Sequence, residues 1–457
     1  MTTVATTQPP VDDVERAPAG ATHAAPATEE AAEAGAIAAS PEIFANTLPE
    51  YLRGWWGRVR SGESGMLPVI AALAAIVIIF QVQNSLFLSA GNIVNLLIQA
   101  AVIVLLGIGE VFVLLLGEID LSVGYVAGVS GGLMAALVAP PFNLPWWLAI
   151  LAALGGGAVI GLVQGTLITR LGLPSFIVTL AGLIGWEGVM IWMFDSLNVA
   201  VGGVISVSNK YLLDLVSGDL SPVAGWIVMA VLVVAFGALM LSRDASRRRG
   251  GLVAPPLGVT VGKLIGAAIG GSLVVWVCNI NRGINTATLH TVSRGVPWAI
   301  PIIFAVWLVA SFVLGRTRFG RYIYAIGGNA EAARRAGVSL ARIRTAAFVI
   351  AGVMAAVAGI VYTSWLGSIS TNIDGGTYVL YAVAAAVIGG TSLFGGRGKP
   401  LHAVLGGLVI GAIANGLSLI GLGAAPTYIV TALVLIASIT IDSVARRGQA
   451  ATARAKV

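Results

Sequence analysis

Carboxylates are scarce in this chain, with 20 Asp and Glu in 457 residues, and four of them sit among apolar residues. Glu118 and Asp120 lie in Gly117-Glu118-Ile119-Asp120-Leu121-Ser122-Val123-Gly124, which joins two apolar runs with no linker to spare. Glu110 lies inside the run before it, and Glu187 lies between Trp186 and Met190 in another. Acidic groups at membrane depth are costly unless they face protein, water or the membrane surface, so each is a candidate for transport chemistry. Asp120 is expected to N-cap a helix that starts at Leu121. Two readings of this segment fit: a capped tight turn between two helices, or a broken helix lining a transport pathway. A second break, Gly389-Gly390-Thr391-Ser392-Leu393-Phe394-Gly395-Gly396, repeats the pattern of apolar run, Gly-rich turn and apolar run. It hints at related helix pairs within 93–194 and 378–442. On the pathway reading the candidates are Glu118, Asp120, Ser122, Gly389, Gly390 and Thr391. Glu110 or Glu187 would serve an ion-coupled transporter, in which one of them must titrate.

The third chemically marked stretch is 316–344, RTRFGRYIYAIGGNAEAARRAGVSLARIR, a charged interval between two long apolar runs. It holds seven of the 26 Lys and Arg: Arg316, Arg318, Arg321, Arg334, Arg335, Arg342 and Arg344. Its centre reads as a short helix. Asn329 suits the N-cap, Glu331 the positive first turn, and Arg334 and Arg335 the negative end. Glu331 also reaches both arginines at i+3 and i+4. Gly337 suits the left-handed residue that ends a helix, and Ser339 is expected to cap the next one. A short helix held between two spans is not needed to cross a bilayer. Its expected role is to dock a soluble partner.

Other chemistries lack their residues. His23, His290 and His402 have no metal-ligand spacing, and no nucleophile–base constellation stands out, so neither a catalytic nor a metal site is assigned. Gly395–Lys399 is followed by Pro400, and Lys263 by Leu264, so neither fits a phosphate-binding G-x-x-x-x-G-K-[ST] loop. If ATP drives the protein, another subunit binds it; no cofactor is expected on this chain. Cys278 is the single cysteine, which excludes an intramolecular disulfide. Phe176, Trp186, Trp192, Tyr362 and Trp365 lie near the ends of apolar runs, where aromatic belts or sugar stacking would place them.

The elements that must position these residues are membrane helices. The chain is 57% hydrophobic and 10% charged, with mean hydropathy +0.93, whereas soluble domains carry about 25% charged residues. Twelve apolar runs, at roughly 67–82, 93–117, 122–139, 146–169, 175–194, 223–241, 259–277, 297–314, 345–366, 378–394, 401–420 and 426–442, match the ~20 residues of a span. The expected fold is all-α, a polytopic membrane protein with about 12 transmembrane helices. With both termini cytoplasmic, Arg170, the Arg243–Arg249 cluster, 316–344, Arg397, Lys399, Arg446 and Arg447 lie inside. Only Lys210, Arg282 and Arg294 then lie outside, as the positive-inside rule requires. The basic pI is thus a topology signal, and no nucleic-acid partner is expected. The outer segments 195–222, 278–296 and 367–377 are polar, and either receive an external partner or are solvated loops. Residues 1–47, acidic and rich in Ala, Thr and Pro, are expected to form a disordered cytoplasmic tail with no cleavable signal peptide. Residues 48–65, with Trp55, Trp56, Arg53, Arg58 and Arg60, suit a juxtamembrane segment against lipid. The transmembrane domain is expected at 66–444, with a cytoplasmic tail at 445–457.

The stretches GEIDLSVG (117–124), LPSFIVTLAG (173–182), FGRYIYAIGGNAEAARRAGV (319–338) and VIGGTSLFGG (387–396) resemble the sugar permeases of bacterial ABC importers. The resemblance is to the ribose/xylose branch, which is related to branched-chain amino-acid permeases. The added pair of runs at 223–277 and RGVP at 294–297 look more like the D-xylose type. The resemblance implies a multi-pass protein of the bacterial cell membrane that passes a monosaccharide, a pentose such as xylose. It implies a coupling helix at Gly328, Asn329, Glu331, Ala332, Ala333, Arg334, Arg335, Ala336 and Gly337. The wider signature ends in Ile-x-Leu-Pro, where this chain has Ala347-Phe348-Val349-Ile350. Implied partners are a second permease copy in a homodimer, cytoplasmic ABC ATPase subunits that hydrolyse ATP, and an extracytoplasmic sugar-binding protein. An ion-coupled secondary transporter is the alternative. A membrane-embedded enzyme would need clustered carboxylates or metal ligands that the loops do not show.

Overall fold

The computed structural model describes residues 47–60, 66–197, 200–251, 254–283, 292–423, 425–437 and 440. The expected tails at 1–47 and 445–457 lie outside the described residues, apart from Thr47. The 48–65 segment is described as far as 60, as helix α1 (Leu48–Arg60). Then follow α2 (Leu67–Gln83), α3 (Ala90–Leu114), α4 (Val123–Val138), α5 (Trp146–Arg170), α6 (Ser175–Ser196), β1 (Val204–Ser206), α7 (Lys210–Ser217) and β2 (Asp219–Leu220). The chain continues through α8 (Pro222–Arg249), α9 (Leu257–Asn279), β3 (Val296–Pro297), α10 (Ala299–Arg316), α11 (Arg318–Gly328), α12 (Ala330–Arg335) and α13 (Leu340–Leu366). It ends with β4 (Ser368–Ser370), α14 (Gly375–Ile388), α15 (Pro400–Leu419) and α16 (Ala425–Ala437). Among the described residues, α3, α5, α6, α8, α9, α10, α13 and α15 are long and apolar enough to cross a membrane. The apolar helices α2, α4, α14 and α16 are shorter.

Helix α3 is the axis of the bundle. Its residues from Ala100 to Leu114 are all buried, and it packs against α10, α13, α14 and α15. Lipid tails are as apolar as Leu, so close backbone approach, rather than escape from water, holds such helices together. The seam between α5 and α13 shows it: Gly157, Gly161 and Gly165, at four-residue spacing, lie on Gly352, Phe348 and Thr345.

Two of the shorter apolar helices meet within the bundle. Helix α4 has 16 residues and α14 has 14, rises of about 24 and 21 Å against a core of about 30 Å. Their N-termini meet inside the bundle, where a Cβ on Gly124 would overlap the carbonyl oxygen of Gly375. Only glycine permits that approach.

The helices alternate between two ends. The arginine-rich end gathers 115–122, 171–174, 317–339 and 389–399. The other end carries two small antiparallel pairs, β1 with β4 and β2 with β3. These strands depart from an all-α fold, and they tie together the three segments expected to be external. Those segments are built, not simply solvated. Asn209 Oδ1 accepts from Tyr211 N (3.1 Å) and Leu212 N (3.4 Å) to start α7, whose Leu212 and Val216 are buried. Arg282 holds Asp219 through two bonds of 3.0 and 2.9 Å.

Candidate functional site: a junction of three turns at the arginine-rich end

The 316–344 stretch is two helices on a seat. Thr317 Oγ1 caps α11, accepting from Gly320 N (3.1 Å), and α11 buries Ile323 and Ile326. Asn329 ends α11 and caps α12, its Oδ1 accepting from Ala332 N (2.9 Å). Glu331 pairs with Arg334 at 2.8 Å and Arg335 at 3.1 Å, all three exposed. The hydrogen bonds from Arg334 and Arg335 hold the Glu331 carboxyl below its ordinary range. Gly337, at φ +82°, stops α12. Its N–H donates to Arg334 O (3.0 Å) and Val338 N–H to Ala333 O (3.0 Å), the paired bonds of a glycine-terminated helix.

Two expectations are corrected here. Ala333 is not on a docking surface: it is 5% exposed and packs into the protein's own core beside Val338. The face left for a partner holds Gly328, Asn329, Glu331, Ala332, Arg334, Arg335, Ala336 and Gly337, all exposed. Ser339 stands at the N-cap of α13 but its side chain makes no capping bond.

Beneath α11 the two glycine-rich breaks meet. Gly396 N donates to Leu115 O (2.9 Å), joining the second break to the first. Gly327 of α11 sits directly on that bond, because a Cβ there would overlap Leu115 O and crowd Gly396 N at 2.5 Å. Tyr324 adds a phenol donating to Gly398 O (2.7 Å). On the far side of α12, Arg344 in the first turns of α13 lies 3.3 Å from Glu118 of the first break. A cavity of about 390 Å³ opens beside this pair, between Thr169, Ser175 and Leu340. Helices α11 and α13 thus contact the two breaks directly.

The six pathway candidates divide. Glu118 borders the cavity and Gly390 is exposed, but Asp120, Ser122, Gly389 and Thr391 are buried. Asp120 does not cap a helix at Leu121. Its Oδ1 accepts from Ser122 N (2.9 Å) and Ser122 Oγ (2.6 Å), and the helix begins at Val123. The short polar side chain satisfies its neighbouring backbone in a turn instead. Gln164 Nε2 donates to Ser122 Oγ (2.8 Å), and Thr179 Oγ1 donates to Ile119 O (3.2 Å), so the first break is bonded to α5 and α6. Gly389 lies against the backbone of His402, and Thr391 Oγ1 stands 3.3 Å from His402 Nδ1, which locks the second break to α15.

Glu110 is fully buried, with neither carboxylate oxygen hydrogen-bonded among the described residues. Glu187 is half-buried, near the Tyr125 phenol. Phe176 and Trp192 stay exposed on the outside of the bundle, as belt residues do, while Tyr362 and Trp365 stack edge-to-face at 6.4 Å. Gly327, Tyr324 and Gln164 carry the junction without having been singled out by their types. Gly327-Gly328 at the end of an amphipathic helix was the available signal for Gly327; Tyr324 and Gln164 look like ordinary helix residues.

A bundle of apolar helices, two of them short and meeting end to end, with a capped charged helix seated on both breaks, has the architecture of a polytopic membrane permease. The chain belongs to the family described as branched-chain amino acid transport system / permease component, which it matches over residues 92–439. It is 34% identical over 395 residues to the xylose transport system permease protein XylH of Escherichia coli K12, covering 86% of this chain and 95% of that protein. It is 29% identical over 374 residues to the ribose import permease protein RbsC of the same organism, covering 82% and 92%. No solved structure matches the chain.

Proposed function

We propose that this chain is the permease subunit of an ATP-driven importer for a pentose such as xylose, in the bacterial cell membrane. The arginine-rich end faces the cytoplasm, with both termini on that side. The exposed face of α12 docks a separate ATPase subunit, which binds and hydrolyses the nucleotide. A second copy of the chain completes a homodimer, and an external sugar-binding protein delivers the substrate to the strand end. The observation that carries this reading is the seat of α11 on the bond between Gly396 and Leu115. It makes a surface helix mechanically continuous with two breaks in the membrane helices. The likeness to XylH along 86% of the chain supports a pentose. The test is reconstitution in liposomes with the ATPase and the loaded binding protein. Xylose uptake should require ATP, and reversing charge at Arg334 and Arg335 should abolish sugar-stimulated hydrolysis. Uptake without ATP or partner subunits would overturn the proposal.

One observation favours the ion-coupled alternative: Glu110 is a carboxyl group fully buried within the apolar helix α3, and ionisable groups at such depth are candidates for proton relays. Uptake driven by a proton gradient in liposomes holding this chain alone, and lost in Glu110→Gln, would establish it.

A further inference from the structure

The meeting point of α4 and α14 gathers polar and aromatic side chains that the coupling junction does not use. Tyr125, from the first turn of α4, lays its ring over Gly375, and Glu187 of α6 stands near its phenol. Asp374 starts α14, its Oδ1 accepting from Thr377 N (3.1 Å). Its other oxygen accepts the phenol of Tyr428 from α16 at 2.9 Å. Behind them Tyr362 of α13 meets Tyr378 of α14 at 5.5 Å, and Tyr378 meets Tyr381 at 6.4 Å, both edge-to-face. Five helices thus contribute five tyrosines and two carboxylates to one surface. Asp374 and Tyr428 are exposed, and Glu187 and Tyr125 half-exposed.

The electrostatics of this surface say what it takes. The N-terminus of a half-length helix in a transporter carries positive potential and ordinarily receives an anionic group of the substrate. Here the protein's own carboxylate occupies one such end, with Asp374 capping α14, while Asp120 stands buried just before α4 and is turned onto Ser122. No basic residue is among the hydrogen-bond or charge partners of Tyr125, Asp374, Tyr362, Tyr378 or Tyr381. A substrate carboxylate would find the α14 end occupied by Asp374 and a further carboxylate, Glu187, nearby. Hydroxyl groups would find the opposite. Carboxylates and phenols accept and donate to them, charge-assisted hydrogen bonds are the stronger kind, and tyrosine faces offer apolar area for ring C–H groups.

We propose that Tyr125, Glu187, Asp374 and Tyr428, backed by the Tyr362–Tyr378–Tyr381 row, form the substrate-recognition surface of the pathway. It admits an uncharged polyhydroxylated ring and rejects amino acids and sugar acids. The inference rests on the sugar-importer reading and adds to it the site and the charge rule.

The experiment uses the full chain with its ATPase and binding protein in liposomes. ATP-dependent xylose uptake by the unaltered complex is read first, since its absence counts against the importer reading alone. With uptake established, Glu187→Gln and Asp374→Asn should each lower it about tenfold, the loss of one charge-assisted hydrogen bond. ATP hydrolysis stimulated by loaded binding protein should stay within about twofold, because the coupling junction is untouched. In a Tyr428→Cys variant, alkylation of the new thiol should be slowed by xylose and not by leucine or xylonate; the native Cys278 is buried. Unchanged uptake in both carboxylate variants overturns the proposal. So does a parallel loss of hydrolysis, which would make these residues part of the moving frame, and so does equal protection by xylonate.

Discussion

The two ends of the bundle handle charge in opposite ways. At the arginine-rich end Glu331 sits between Arg334 and Arg335 with all three side chains about half exposed or more, at 49%, 68% and 79%. At the strand end Arg282 holds Asp219 with side chains 8% and 20% exposed, and Arg282 also donates to the carbonyls of Cys278 and Gly295. An exposed pair gains little because water screens it. A buried pair becomes indispensable once formed, because removing one partner strands the other charge. The exposed trio leaves charge available to a partner, whereas the buried pair has spent its charge on locking three segments together. What lies between the ends differs again: the junction under α11 is held by backbone contacts with no charge at its centre.

The largest effect should come from that uncharged centre. Gly327→Leu would push a side chain into Leu115 O and the N–H of Gly396, an overpacking cost of about 3 kcal/mol or more against backbone that cannot move aside. Sugar-stimulated ATP hydrolysis should be lost even in protein that inserts normally. Retained coupling would mean the seat does not transmit motion.

Next, Arg282→Ala should destabilise the strand end by about 3 kcal/mol, as removal of one member of a mostly buried pair does. Thermal unfolding measures it, and the double change Arg282→Met with Asp219→Leu should recover much of the loss. A smaller effect is expected at Glu118. Glu118→Gln weakens a partly exposed pair with Arg344, which is worth about 1 kcal/mol or less. Its signature should be a higher basal rate of hydrolysis rather than a lower melting temperature, since the pair bridges a break to α13.

The smallest effect is at Glu331. Its carboxyl is held low by Arg334 and Arg335, so the stabilisation is present above the ordinary glutamate range and disappears as pH falls through the lowered value. Binding of the ATPase subunit should therefore be flat around neutrality and weaken only in acid. Glu331→Gln should abolish that acid dependence while leaving the melting temperature unchanged. An equal acid loss in the variant would place the titrating group elsewhere.

The local signals in 316–344 carried through to structure where they depended on neighbours in sequence. Asn329 caps, Glu331 pairs at i+3 and i+4, and Gly337 takes positive φ, because each interaction closes within five residues. Each apolar run holds a helix for the same reason: backbone groups in lipid must bond within their own segment. Other signals did not carry through. Ala333 read as a docking residue and is core, because the sequence shows that it is small but not which side of α12 meets the body. Asp120 read as a helix cap and closes a turn instead, since Ser122 offers both its N–H and its hydroxyl two residues away.

The two breaks make the same division. Their glycines and their shared pattern are visible in the chain, as is the charged helix between them. That Gly396 bonds to Leu115, that Gly327 rests on the bond, and that Gly124 meets Gly375 are facts of the tertiary structure. The sequence by itself determined the helices, the Asn329 cap and ion pairs of α12 and the class of protein, because hydropathy, capping and short-range ion pairs act over a turn or two. Only the tertiary structure decided which turns share a seat and which carboxylates face open space. Those contacts join residues far apart in the chain, and in lipid they depend on how closely two backbones can approach.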